Sequence, residues 1–244
     1  VHIIPVIDLL NGVVVHAKQG QRHQYQPIQS SLTTSTKPLD IVKAFRDIYP
    51  FDTLYIADLN AIQHLLGTLS NHRPIIDNIL EAFPDLTIWI DAGIQQASDV
   101  QSWHHPTVKS IIGTENMRQM DDYLAIAQGY SEHIVLSLDF MPNGYQGPSA
   151  LLQQHQAWPQ DVIVMTLNQV GAQSGVDIAT LNKVIPLANK QRIYAAGGVR
   201  NTQDLAQLST MHVHGALIAT ALHSQHITGA DLCALHSVDA KKPE

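Results

Sequence analysis

Carboxylates that recur at matching places in a chain are the natural candidates for proton transfer. Here Ile4-Pro5-Val6-Ile7-Asp8-Leu9-Leu10-Asn11-Gly12 is echoed by Val135-Leu136-Ser137-Leu138-Asp139-Phe140-Met141-Pro142-Asn143-Gly144. Each is an apolar run that ends in an aspartate and then turns. Ile56-Ala57-Asp58-Leu59-Asn60-Ala61-Ile62 is echoed by Val164-Met165-Thr166-Leu167-Asn168-Gln169-Val170, and Asp91-Ala92-Gly93-Ile94 with Asp99 by Ala196-Gly197-Gly198-Val199 with Asp204. The later echoes keep an offset of roughly 105 residues, far too long for a solenoid, so the chain reads as a duplicated half. Two halves related by an axis would put Asp8 and Asp139 on opposite sides of one substrate. One carboxyl could then give a proton while the other takes one.

The elements that must position these residues are legible as apolar runs alternating with amphipathic stretches. Strands are predicted at 3–7, 53–57, 86–90, 108–112, 133–138, 161–166, 191–195 and 215–218. Several are almost continuously apolar, as parallel strands covered on both faces must be. Helices are predicted over 38–49, 71–83, 116–129 and 177–189, with caps at Thr36, Ser98, Asp177 and Asn201. Eight strand–helix units in 244 residues predict a single (β/α)8 TIM barrel of class α/β spanning residues 1–244, with an internal two-fold repeat of half-barrels at about 1–130 and 131–244. The polar stretch from Gln19 to Thr36 has too few apolar residues for an element. It reads as a mobile loop over the mouth, a candidate lid.

Composition narrows the partners. A formal charge of −7 without a basic cluster argues against nucleic acid and anionic membrane, and no run reaches membrane-spanning length. A lone cysteine, Cys233, leaves no internal disulfide, and the N-terminus carries a strand pattern instead of a leader; both fit a cytoplasmic protein, monomeric or a small homo-oligomer. Of the fourteen histidines, the pairs His104-His105 and His212-Val213-His214 have no carboxylate or cysteine at ligand spacing, so no metal site is expected.

Ile-Pro-Val-Ile-Asp-Leu with Gly12 and Gln19-Gly20, Ala57-Asp58-Leu59, Leu138-Asp139 and Ala196-Gly197-Gly198-Val199 together resemble the histidine-biosynthesis (β/α)8 barrels. The likeness covers essentially the whole chain. It is closer to the branch of ProFAR isomerase (phosphoribosylformimino-aminoimidazole carboxamide ribotide isomerase) than to the cyclase-synthase. The resemblance implies acid–base work by Asp8 and Asp139, assistance from Thr166, and two phosphate-holding regions. One region comprises Asp91-Ala92-Gly93 with Gly113-Thr114, the other Gly197-Gly198 with Ala219-Thr220. It further implies an Amadori rearrangement on a phosphorylated small molecule, without metal or redox cofactor.

That chemistry needs two carboxyls. An acid protonates the ring oxygen to open an aminoaldose to an iminium, and a base then removes the C2 proton to leave an enolamine. Asp8 is assigned the base and Asp139 the acid, with Thr166 bonding a sugar hydroxyl or the developing enol. Structural readings stand beside these. A strand-end aspartate often only bonds its own turn, Gly197-Gly198 serves a tight turn equally well, and Asp58 has Thr166 as its counterpart, which leaves it open. Arg22 and Tyr25 either grip the substrate or merely solvate the first loop. His16 falls near the mouth, where the resembling proteins carry a basic residue, and could contact an anion.

Departures from the pattern point to a divergent branch. The segment after Thr166 lacks the family's aspartate and Arg-Asp-Gly, and Asp91-Ala92 replaces glycines. A phosphate about 5 Å from an ionised Asp91 would be repelled by roughly 6 kcal/mol at an effective dielectric of about 20. A single phosphate at Gly197, Gly198, Ala219 and Thr220 is therefore expected, unless Asp91 turns outward or bonds a backbone amide. The style of Asp-Ala-Gly and Val-Gly-x-x-x-Gly-Val-Asp resembles isomerase-related proteins of methanogens and methylotrophs. The alternatives are thus a paralogue acting on another phosphorylated intermediate in one-carbon cofactor (methanopterin or methanofuran) biosynthesis, or a catalytically silent phosphate-ligand binding protein.

Overall fold

The computed structural model describes residues 1–64, 72–172 and 174–239. Residue 71, at the start of one predicted helix, and residue 173 lie outside them. Eight parallel strands form the barrel: β1 (His2–Leu10), β2 (Thr53–Asp58), β3 (Thr87–Asp91), β4 (Val108–Gly113), β5 (Ile134–Met141), β6 (Asp161–Thr166), β7 (Arg192–Ala196) and β8 (Gly215–Ile218). Each pairs with the next, and β8 closes on β1 with His2 opposite Gly215. All eight lie within a residue or a few of where the apolar runs place them.

Alternation along the strands sorts side chains into two cores. Ile4, Tyr55, Trp89, Ile111, Val135, Ile163, Tyr194 and Leu217 pack inside the barrel. The opposite faces carry Ile7, Ile56, Ile90, Ile112, Leu136, Val164 and Ile218 against the helices. Helix Pro38–Ile48 contributes Ile41, Val42 and Phe45 to that outer layer, and helix Arg73–Ala82 contributes Ile76, Ile79 and Leu80. Each fully buried side chain of this size stabilises by about 1.5–3 kcal/mol relative to exposure.

Caps hold at Asp177, which accepts from the Thr180 N–H, and at Asn201, which accepts from Gln203 and Asp204. Two expected caps are corrected. Lys37, not Thr36, precedes the helix that Pro38 opens, because the proline ring already fixes the first helical φ. Gln96, not Ser98, precedes helix Ala97–Ser102, and Asp99 Oδ2 reaches back to the N–H groups of Gln95 and Gln96. Asp204 reaches back likewise to Arg200, which is why both acids recur three or four residues into a helix start.

The first loop is also corrected. Val13–His16 returns antiparallel along β1 and pairs with Gln26–Pro27, and a single 3-10 turn forms at Arg22–Gln24. Val14 and Val15 are buried in the outer and inner cores and anchor the hairpin, while its partner Gln26–Pro27 is exposed and is held by backbone pairing. A comparable antiparallel strand, Gly144–Gln146, follows β5.

The two ends of the barrel use aspartate differently. At the N-terminal end of the strands, buried Asp161 receives Arg192 at 2.7 and 2.9 Å, Lys109 at 2.8 Å and the Tyr194 hydroxyl at 3.2 Å. Burial would raise this carboxyl, but the hydrogen bonds and charges of Arg192 and Lys109 outweigh it and hold Asp161 below its usual range. At the other end, no lysine or arginine among the described residues makes an ion pair with Asp8, Asp91 or Asp139. Among the described residues no helix is long and apolar enough to cross a membrane.

Candidate active site

A cavity opens at the C-terminal ends of the strands. Asp8, Asp91, Gly113, Asp139, Gly197, Gly198, Ala219 and Thr220 all line it. β1 and β5 stand four strands apart in a closed ring of eight, so Asp8 and Asp139 face the cavity from opposite sides. Register explains the grouping, for Asp8 lies level with Ala57 and Ala57 with Asp91, one inward-facing layer of the barrel.

The two aspartates differ in how they are held. Asp139 is 4% exposed. Its Oδ1 accepts from Ser137 Oγ at 2.7 Å, and its Oδ2 from the Glu115 N–H at 2.9 Å and Thr114 Oγ1 at 3.4 Å. Burial nonetheless lifts it to about 7 against these bonds, with the charges of Glu115 and Asp91 adding to the rise. Asp8 has no protein donor on its carboxylate among the described residues. Burial and then the charge of Asp91 raise it to about 7, while Arg22 pulls it down. Asp91 is raised to about 6, chiefly by burial, although the Gly93 N–H at 3.2 Å and the Tyr55 hydroxyl at 3.2 Å both donate to it. The site therefore holds three carboxyls that titrate close to neutrality.

Several expected residues fall elsewhere. In β6 the inward position at the mouth belongs to Met165, which lies level with Asp139. Thr166, next in the strand, is buried outside the cavity lining and gives its hydroxyl to the Ala196 carbonyl at 3.1 Å. The same alternation removes Asp58, because Ala57 takes the inward place. Asp58 instead caps Ala61 and accepts from His72 at both the backbone N–H and Nδ1. His72 Nε2 in turn accepts the Gly12 N–H at 3.0 Å, fixing the turn that follows Asp8. Gly93 and Thr114 support Asp91 and Asp139 from behind. His16 lines an adjoining recess, its Nε2 3.4 Å from Thr220 Oγ1; desolvation and then Lys18 hold its pKa below the ordinary imidazole value.

Gly20, Arg22 and Tyr25 of the first loop line the cavity. Arg22 bonds Glu115 at 2.7 Å, and the Gln19 N–H bonds the Val170 carbonyl at 2.8 Å, so the loop is tied to strand ends on two sides of the mouth. Glu115, Tyr55 and Ser137 were not singled out in the sequence. Tyr55 and Ser137 each sit two residues before a position at the mouth, a spacing that alternation makes inward-facing and that could have found them. Glu115 enters through its backbone N–H on Asp139 and through its side-chain ion pair with Arg22; the first leaves no signal in residue type, and the second joins residues 93 positions apart.

Gly197 and Gly198 have φ of 100° and 87°. A Cβ on Gly198 would stand 2.0 Å from the Gly175 carbonyl oxygen, and one on Gly197 2.7 Å from that of Thr166. Backbone conformation and close approach thus both demand glycine. Changing Gly198 to alanine should cost about 2–5 kcal/mol through strain and overpacking, read as a lowered thermal midpoint. An unchanged midpoint would contradict the close approach.

Residues 2–228 match the family model described as histidine biosynthesis protein. An uncharacterized protein of Methanocaldococcus jannaschii is 29% identical over 227 residues, 91% of this chain and 92% of its own. Proteins of Oceanobacillus iheyensis and Halobacterium salinarum named 1-(5-phosphoribosyl)-5-((5-phosphoribosylamino)methylideneamino) imidazole-4-carboxamide isomerase are each 25% identical, covering 94% of this chain and 96% and 94% of their own. The match spans every barrel strand, and at these identities it leaves room for a divergent branch. By its barrel and by this match, the chain belongs to the histidine biosynthesis protein family.

Proposed function

We propose that the protein is an aldose–ketose isomerase of the Amadori type, acting on a phosphoribosyl-amine substrate by aspartate acid–base catalysis. The observation that carries this reading is the placement of Asp8 and Asp139 on opposite sides of one cavity, both raised to about 7. A carboxyl at that value holds a proton in part of the population at neutral pH and is basic enough to take one when ionised. Asp8, with its lone pairs free of protein donors, removes the C2 proton; Asp139, fixed by Ser137 and Glu115, delivers a proton to the ring oxygen. Gly197, Gly198, Ala219 and Thr220 accept the phosphate at a turn where no side chain intrudes. Thr166 supports the β7 strand end through the Ala196 carbonyl and takes no direct part.

A second reading is favoured by Asp91 in the cavity and by the likeness to the uncharacterized methanogen protein. In it the same chemistry serves another phosphorylated intermediate, in one-carbon cofactor biosynthesis. One pair of experiments separates the two. Complementation of a histidine auxotroph lacking its isomerase is the outcome expected of the histidine-pathway substrate. Loss of the C2 proton to D2O from N-substituted 5-phosphoribosylamines, followed by NMR, without complementation is the outcome expected of the second. Neither growth nor exchange with any such compound would sink the isomerase reading and leave a phosphate-ligand binding protein.

A further inference from the structure

The cavity is uneven in charge. Its charged lining residues among those described are Asp8, Asp91, Glu115 and Asp139 against Arg22 alone, and Arg22 is already bound to Glu115. All five come from the first loop, from β1, β3 and β5, and from the 3-10 turn Thr114–Asn116 that follows β4. The opposite wall, Gly197, Gly198, Ala219 and Thr220, carries no charge. Asp91 is the last residue of β3, and Ala196 holds the matching terminal place in β7.

We propose that Asp91 is the specificity-determining residue of this cavity: it excludes an anion from the end formed by β3 and β4, so that the substrate brings one phosphate, to the end formed by β7 and β8, and presents a neutral or cationic group to Asp91. The inference rests on the isomerase reading and narrows its substrate class. The names of the isomerase relatives contain two phosphoribosyl groups. A ligand of that kind must place its second phosphate somewhere, and the turn after β3 is occupied. Asp91 Oδ1 takes the Gly93 N–H, the amide such a turn would offer an anion, and Oδ2 takes the Tyr55 hydroxyl. Swinging the carboxylate away forfeits both bonds and leaves the Tyr55 hydroxyl, on a residue only 4% exposed, without this acceptor. Bonding a backbone amide therefore does not free the turn for phosphate; it consumes the donor and leaves the charge in the cavity.

Calorimetric titration tests this with two probes, ribose 5-phosphate and the doubly phosphoribosylated imidazole carboxamide, against the native protein and the variants Asp91→Asn and Asp91→Gly. Asparagine keeps the shape and the amide acceptor, so a readout survives if the glycine variant folds poorly. The expected result is a gain of at least tenfold in affinity for the doubly phosphorylated probe in a folded variant, with ribose 5-phosphate changed less than threefold. A smaller gain, or an equal gain for both probes, overturns the proposal. Failure of ribose 5-phosphate to bind the native protein would instead overturn the phosphate site at Gly197 and Gly198, and the proposal with it.

Discussion

Asp8→Asn and Asp139→Asn should each lower kcat by roughly 10² to 10⁴, the range expected when a general acid or base is lost, with the fold retained. Asparagine matches the shape of aspartate but neither takes nor gives the proton. The pH profile sharpens the test. With both carboxyls at about 7, the native protein should show a narrow bell. Below that range the base is protonated, and above it the acid has lost its proton. In Asp8→Asn the residual rate should lose its acidic limb, since no base remains there to be protonated, and in Asp139→Asn the alkaline limb should go. Turnover of any phosphorylated aminoaldose the native protein converts provides the measurement. Full activity in either variant would remove the mechanism, and a bell unchanged in both would assign the titrations to other groups.

Much of the barrel was legible because strand position depends on local apolar runs, and eight such runs leave few ways to close a sheet. The mouth was legible only in part. Asp8 and Asp139 announced themselves by recurrence, and Gly197-Gly198 by a double glycine that strand and helix would otherwise avoid. Thr166 and Asp58 were drawn to the mouth by the same recurrence, but alternation gives the inward place to Met165 and Ala57. A residue can recur because it caps or ties a strand end, and both of these do. In the hairpin, Val13-Val14-Val15 is a β-branched strand signal too short to stand apart from β1, and its exposed partner Gln26–Pro27 pairs through backbone hydrogen bonds, which residue type encodes weakly. Asp91 reads in the sequence as an intruding charge in the turn unless it points outward or bonds a backbone amide, and it does bond the Gly93 amide. That it would keep facing the cavity while taking the Gly93 amide could not be read, since both outcomes satisfy the same carboxylate.

Carboxyls whose pKa is raised by burial should weaken the fold once ionised, and Asp8 offers the cleanest measurement. Its folded value, about 7, lies well above the 3.8 of an ordinary aspartate. A group that binds its proton more tightly when folded favours folding below its unfolded value, and loses that advantage as pH rises through the folded one. The native protein should therefore lose stability between about pH 4 and pH 7 on account of Asp8. About three units at 1.36 kcal/mol each would give ~4 kcal/mol; Asp8 is only half-buried, so solvent screening reduces this to about 2 kcal/mol. Asp8→Asn removes the charge at any pH, so at pH 8 it should be the more stable protein, with a thermal midpoint higher by about 4–8 °C, and near pH 4 the two should coincide. Asp161→Asn, the same substitution at the other end of the barrel, should do the reverse. There the charge is matched by Arg192 and Lys109, and its removal leaves two cations facing a neutral amide. A loss of about 3–5 kcal/mol at pH 8 is expected. Opposite signs for one chemical change at the two ends would show that Asp8 is held against stability; a destabilised Asp8→Asn at pH 8 would mean that its carboxylate has a partner in the folded protein and is no free base.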